Sequence, residues 1–224
     1  MSNSNHTSLP DYTRGEERFN MISHIVGGGI GVLILITCIC VGILRNNPLG
    51  IALGSLFGVS MIMLYTISSV YHGLRGVKAK RVLQVLDHCT IYFLIAGTYT
   101  PILICALAKK YPIHAWLTFA AVWGLAALAI TLTAVDMHKY RHFSMACYIG
   151  IGWSVIFSIV QVFEVLTAPG FALLLGGGVA YTVGALIYGI GKKAKGIRYI
   201  HSIFHLFVIL GSVLQALCII MYVI

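Results

Sequence analysis

Charged side chains are scarce in this sequence of 224 residues: they make up 9% of it, and only six residues are acidic. Hydrophobic residues account for 59%, and the mean hydropathy is strongly positive. A soluble domain of this size needs no such excess to form a core. The composition therefore excludes an ordinary soluble enzyme and indicates an integral membrane protein.

Other absences narrow the class further. The six cysteines contain no CxxC pair, so a disulfide framework is not indicated. The run Gly27-Gly28-Gly29 follows no strand, so close helix packing explains it better than phosphate binding. No connection between apolar runs is long enough for a soluble domain. The net charge of +9 comes from basic residues beside these runs, where anionic lipids attract them, so we expect membrane lipids as partners and no nucleic acid.

Apolar stretches long enough to span about 30 Å of hydrocarbon, roughly 20 residues each, recur along the chain. The first is too long for a signal peptide and lacks a cleavage site, so we expect it to be retained as a helix. The sequence predicts an all-α membrane protein with a polar N-terminal segment, residues 1–20, and a seven-helix transmembrane domain, residues 21–224. The predicted spans are Met21–Leu44, Leu49–Leu74, Val82–Ala108, His114–Val135, Phe143–Leu166, Phe171–Gly191 and Tyr199–Ile224.

The positive charges predict the orientation. Twelve Lys and Arg residues lie in the N-terminal segment and in the second–third, fourth–fifth and sixth–seventh connections, the last of which includes Lys195, against three on the other side. Short loops rich in Lys and Arg stay in the cytoplasm. We therefore expect a cytoplasmic N-terminus and an external C-terminus in the plasma membrane; the sequence does not predict an oligomeric state.

Few polar residues remain within the spans, and several fall at the predicted cytoplasmic ends of helices. His72 ends the second span, Asp87 lies near the start of the third, and His201 and His205 begin the seventh. Residues four apart share one helix face, so both imidazoles of His201-Ser-Ile-Phe-His205 can point at one ion. Hydrocarbon penalises such groups unless they pair, face water or bind a metal.

Three neutral imidazoles and a water would form a tetrahedral zinc site with an open position, which is the catalytic pattern. The sequence thus predicts zinc bound by His72, His201 and His205. The alternative is a satisfied polar network, because two histidines at this spacing often hydrogen-bond within a helix bundle.

Three motifs resemble the signatures of the progestin and adipoQ receptor superfamily. They are Glu17-Arg-Phe-Asn20-Met-Ile-Ser-His24, Ser68-Ser-Val-Tyr-His72 followed by Asp87, and the HxxxH of the seventh span. The stretch 86–101, LDHCTIYFLIAGTYTP, is similar to the bacterial branch called hemolysin III. The resemblance implies seven helices, a cytoplasmic N-terminus and zinc held by three histidines, with an Asp contacting the metal-bound water. By matching motifs, these residues would be His72, His201, His205 and Asp87.

The resemblance also implies a chemistry, because a related group of alkaline ceramidases uses a similar zinc site to hydrolyse lipid amides. Zinc would acidify a bound water and polarise a substrate carbonyl. Asp87 would orient that water and accept its proton, or would instead support a zinc-binding imidazole. Ser68, one turn before His72, would contact the water or substrate, or would pack between helices. We expect Glu17, Asn20 and His24 to lie at the cytoplasmic mouth of the bundle. For these residues we favour helix initiation and inter-helix hydrogen bonding over catalysis.

Two function classes follow from these features. The first is a zinc-dependent membrane hydrolase acting on a lipid amide or ester. The second is a non-enzymatic membrane sensor or regulator in which zinc only holds helices together. A pore-forming hemolysin ranks third, because the spans carry no amphipathic pore-lining pattern.

Overall fold

A computed structural model describes residues 9–193 and 197–224, so Lys195 of the predicted sixth–seventh connection lies outside the described residues. The described chain is helical and contains no strand, which confirms the predicted class. Its helices are α1 (Arg14–Leu44), α2 (Pro48–Gly73), α3 (Val77–Pro101), α4 (Pro112–Asp136), α5 (Arg141–Gly152), α6 (Ile159–Lys193) and α7 (Ile200–Tyr222).

Within the described residues, six helical segments are long and apolar enough to cross a membrane. The predicted fifth and sixth spans belong to one segment, Arg141–Gly191, of 51 residues. Its continuity is broken at Thr167, which has φ 60° and ψ 170°, two residues before Pro169. A threonine with positive φ is rare and cannot continue a helix. The predicted connection 167–170 therefore corresponds to a sharp break in the chain.

Helix α1 begins earlier than its apolar run, at Arg14 instead of near Met21. The Thr13 side chain accepts a hydrogen bond from the Glu16 N–H, and the Glu16 carboxylate accepts one from the Thr13 N–H. This capping box satisfies backbone donors that would otherwise have no partner at the helix start. Two further helical turns therefore precede the apolar run, and they place Glu17 and Asn20 on the helix.

The predicted third span departs from regular helix after Pro101. A π-helical turn, Ile102–Ala106, and a 3-10 turn, Leu107–Lys109, follow it. The segment nevertheless extends to Lys109 and remains long enough to cross the membrane.

Helices α1 and α2 pack closely through glycines. A Cβ built on Gly58 would lie 2.8 Å from the Cα of Leu35, and one on Gly54 would lie 3.0 Å from the Cβ of Cys38. A Cβ on Gly27 would lie 2.8 Å from the Tyr65 ring. Small residues let membrane helices approach in this way. The packing brings the start of α1 beside the end of α2.

Helices α1 and α7 run parallel, and contacts at both ends fix the pairing. At the start of both helices, the backbone N–H of Tyr199 donates to Oε1 of Glu16 at 2.8 Å. At the opposite end, Nη1 of Arg45 donates to the carbonyl of Ile220 at 3.3 Å and also to that of Ile224. One end of the bundle therefore gathers the starts of α1 and α7 and the end of α2.

Candidate metal centre

Three histidines meet at this end of the bundle. His72 lies in the last turn of α2, and His201 and His205 lie in the first two turns of α7. One nitrogen from each ring lies within 4.8 Å of the others. His72 and His205 are buried, whereas His201 is partly exposed. The predicted ligand set is thus brought together, in a geometry that can hold a metal ion.

The His72 ring is oriented by Glu17 of α1. Its Nδ1 lies 2.6 Å from Oε2 of Glu17, and the other carboxylate oxygen accepts from Nζ of Lys80. A carboxylate can only accept, so Nδ1 of His72 is the donor, and in the neutral ring the lone pair is then on Nε2. That Nε2 is buried and has no hydrogen-bond partner among the described residues. A buried lone pair without a partner fits a metal ligand.

The His205 ring of α7 is also oriented by α1, and it lies beside His201. Nε2 of His205 lies 3.1 Å from Nε2 of His201. Two nitrogen ligands of one tetrahedral zinc ion lie about 3.3 Å apart, given Zn–N bonds of about 2.0–2.1 Å. On the other side of the ring, Nδ1 of His205 lies 3.4 Å from Oγ of Ser23, whose proton is donated to the Asn20 carbonyl. This leaves Nδ1–H of His205 to donate to Ser23 and Nε2 to face the cluster.

Aromatic rings enclose the cluster on its solvent side. Tyr12, from the segment before α1, stacks on His201 with ring centroids 5.2 Å apart and lies 6.0 Å from the ring of His72. The Tyr188 ring lies 5.1 Å from His201. Burial and the neighbouring Tyr188 raise the pKa of the Tyr12 phenol, so it stays neutral. The N-terminal segment therefore covers the histidines with a neutral polar side chain.

Asn20 and His24, the other two predicted mouth residues, contact α7. The fully buried Asn20 accepts from the Ser202 hydroxyl through Oδ1, at 2.6 Å. His24 stacks on His205, with ring centroids 3.6 Å apart and planes 13° from parallel. The α1 motif thus supports both sides of the histidine cluster.

Asp87 lies outside the histidine triad, at 8% exposure on α3. Its carboxylate lies near the Ser68 hydroxyl and the His72 and His88 rings. The Ser68 hydroxyl is buried and makes no hydrogen bond of standard geometry within the described part of the chain. Asp87 and Ser68 are therefore two buried polar side chains beside His72 that no hydrogen bond of standard geometry joins.

Sequence reasoning did not identify four contributors to this centre. They are Lys80, which holds Glu17 and which the sequence marks only as a loop charge, and Ser23, Tyr12 and Tyr188. Ser23 adjoins His24 within the α1 motif, which is a signal that could have been used. The two tyrosines carry no such signal, because their contacts with His201 depend on how the chain folds back over the bundle.

Comparison with known proteins agrees with this architecture. The Haemolysin-III related family profile matches residues 12–216. The chain is 36% identical over 208 residues to "Hemolysin-3" of Bacillus cereus, covering 93% of this chain and 92% of that protein. It is 33% identical over 211 residues to "Hemolysin-3 homolog" of Bacillus subtilis (strain 168), covering 94% and 96% respectively. No solved structure matches.

These matches cover almost the whole chain, including every element that forms the histidine cluster. Together with the apolar helices, they identify a multi-pass protein of the plasma membrane. The chain belongs to the haemolysin-III related family, the hemolysin III branch of the progestin and adipoQ receptor superfamily.

Proposed function

We propose that this protein is a zinc-dependent membrane hydrolase that acts on a lipid amide or ester. The observation that carries the proposal is the triad of His72, His201 and His205, each of which has a ring nitrogen within 4.8 Å of the others in a bundle of largely apolar helices. Two of the rings are oriented by partners on α1, as zinc-ligating histidines usually are.

We also propose seven crossings, with the histidine cluster at the cytoplasmic end. The 51-residue segment Arg141–Gly191 would be about 76 Å long as one helix, more than twice the hydrocarbon thickness of about 30 Å. The break at Thr167 supports two crossings within it. Parallel first and last helices support an odd number of crossings. The excess of Lys and Arg on the histidine side supports a cytoplasmic location for that end.

The donor set of three neutral imidazoles suits zinc. Zinc, when bound, supplies a Lewis acid that acidifies water and polarises a substrate carbonyl. Glu17 holds His72 in its ligand tautomer, with Lys80 fixing the carboxylate. Asp87, buried near Ser68, would accept the proton of the water that reacts with the substrate. The surrounding apolar helices would hold the acyl chain.

A second candidate is a membrane regulator in which the metal only joins α2 to α7. The stacking of Tyr12 on His201 favours it, because this ring covers the cluster on the solvent side. Such a regulator requires metal for stability and no reaction at Asp87.

Release of free fatty acid from long-chain lipid amides and esters by the purified protein tests the proposal. We expect release by the wild type, and loss of release after chelation and in Asp87→Asn, which should retain its zinc because Asp87 is outside the triad. Asp136→Asn is the matched control, since its carboxylate accepts from the His138 and Lys139 N–H groups in an exposed turn. A fully metallated wild type that releases nothing from either class would favour the regulator.

A further inference from the structure

A groove of about 500 Å³ runs between α1 and α2 on the outside of the bundle. It extends from Met21 and Gly73 at the histidine end to Val32 and Ile62. The α1 residues along it span about 16 Å at 1.5 Å per residue. Val32 is 44% exposed, so within a membrane-spanning segment this side faces lipid. The volume lies in the range of ligand sites, about 300–1,000 Å³.

The two halves of the groove differ in polarity. Gly28, Val32 and Ile62 line the half that lies deeper in the membrane. The half near the histidine cluster has apolar walls as well, and its polar lining residues are His24 and Ser69, with Thr66 at mid-length. An amphiphile entering from the bilayer meets the same order, with its hydrocarbon in the deep half and its polar group near the surface. The groove is therefore apolar along its length, with its polar groups toward the histidine end, as a lipid lying along it requires.

His24 gives this polar half a group that lacks a partner. The residue is 4% exposed, and neither ring nitrogen has a hydrogen-bond partner within the described residues. Tyr65 approaches its ring edge-to-face at 5.1 Å and does not satisfy the nitrogens. Buried polar atoms are normally paired, so such an imidazole on the wall of a groove points to a ligand with a hydrogen-bonding group.

The same ring adjoins the metal centre. His24 stacks on His205 at 3.6 Å between centroids, so one imidazole separates the groove from a candidate metal ligand. If the polar group of a lipid reaches His24, the lipid bonds next to that group lie beside the histidine cluster. The groove is thus positioned as a lateral seat for a lipid that approaches from the bilayer.

We propose that the α1–α2 groove binds the acyl chain of a membrane lipid, with the lipid carbonyl accepting a hydrogen bond from His24. The acyl chain lies against Gly28, Val32 and Ile62, where the absence of a side chain at Gly28 leaves it room. This deepens the proposed function by naming where the substrate sits, and it rests on that function only for the statement that the bound lipid is then cleaved.

Photolabelling with a diazirine analogue of a long-chain fatty amide tests the seat directly. We expect saturable labelling that maps to α1 and α2 along the groove. Gly28→Leu should weaken it by roughly tenfold or more, because the new side chain occupies the space of the acyl chain. Its Cβ would meet only the Tyr65 Cβ at 3.8 Å, an ordinary contact, so the variant should fold.

Gly29→Leu is the matched control. A Cβ there meets nothing within 4 Å, and Gly29 does not line the groove, so labelling should equal that of the wild type. Equal labelling of the Gly28→Leu and Gly29→Leu proteins would overturn the proposal. So would labelling that does not saturate, because it would reflect bulk lipid around the helices.

His24→Phe tests the polar contact while keeping a ring to stack on His205. Loss of one hydrogen bond should weaken amide labelling roughly three- to tenfold, and should leave labelling by a diazirine hydrocarbon without a carbonyl unchanged. Equal effects on both probes would overturn the role of His24.

The assay also separates this inference from the hydrolase. Saturable labelling of a protein that releases no fatty acid would support the lipid-binding groove and contradict the hydrolase. Hydrolysis that is unaffected by Gly28→Leu would support the hydrolase and contradict substrate binding in the groove.

Discussion

Removing the Glu17 carboxylate should weaken metal binding although Glu17 is not a ligand. Its carboxylate accepts Nδ1–H of His72 at 2.6 Å and is itself held by Lys80. A hydrogen bond to a charged group contributes about 1.5–3 kcal/mol. Loss of such a partner typically reduces metal affinity by about 10- to 100-fold, which corresponds to about 1.4–2.7 kcal/mol. We expect a loss in this range for Glu17→Ala, and a smaller one for Glu17→Gln, whose amide oxygen can still accept the bond.

Competition titration against a chromophoric zinc chelator, on detergent-purified protein at neutral pH, measures these affinities. Glu164→Gln is the control, because Glu164 forms an ion pair with Lys110 at an exposed site outside the histidine cluster and should leave the affinity unchanged. Wild-type affinity in Glu17→Ala would refute the reasoning. A loss in Glu17→Gln as large as that in Glu17→Ala would show that charge, and not the hydrogen bond, orients His72.

Three further outcomes are expected. The His201→Ala, His205→Ala double variant should lose most bound metal, and full zinc content in elemental analysis would contradict the proposed site. Chelation should lower the Tm of the wild type, since metal bound only by the folded state stabilises it. Reporter fusions after Arg75 and at the C-terminus should read cytoplasmic and external, and the same side for both would contradict seven crossings. Gly58→Ala should destabilise the folded protein by about 1–3 kcal/mol, because its Cβ would lie 2.8 Å from a backbone atom, whereas Gly29→Ala, in open space, should not; thermal unfolding in detergent measures both.

The histidine triad could be predicted because its members are determined by spacing within one helix and by the order of the membrane spans. His201 and His205 share a helix face by spacing alone, and counting spans places His72 at the same depth. Asp87 also falls near this depth, but its contact with Ser68 is an outcome of packing between α2 and α3 that spacing does not determine. The identity of the partner of His72 was missed for a similar reason.

Glu17 illustrates that limit. The apolar run starts at Met21, and the sequence predicts helix initiation and inter-helix hydrogen bonding for Glu17 without indicating its partner. The capping box formed by Thr13 and Glu16 could have extended the helix in advance, since Thr-x-x-Glu is readable from the sequence. The bond to His72 could not, because it depends on how closely glycines allow α1 and α2 to approach.

The irregular turns could likewise be predicted only in part. Pro169 and Gly170 signalled a break between the fifth and sixth spans, and the chain breaks at Thr167. The π-helical turn after Pro101 was not expected, since a proline near a helix end gives no indication of which irregular turn follows.

The separation of the triad along the chain has a consequence for biogenesis. His201 follows His72 by 129 residues, so a growing chain holds one ligand long before it has the other two. At roughly 5–20 residues per second, the last helix is synthesised about 6–26 s after the second. During that interval His72 can already pair with Glu17, because both lie in the first two helices. The proposed metal ion, held by all three rings, could be captured only when α7 has been inserted beside α1, so metal content would then report on completed assembly of the bundle.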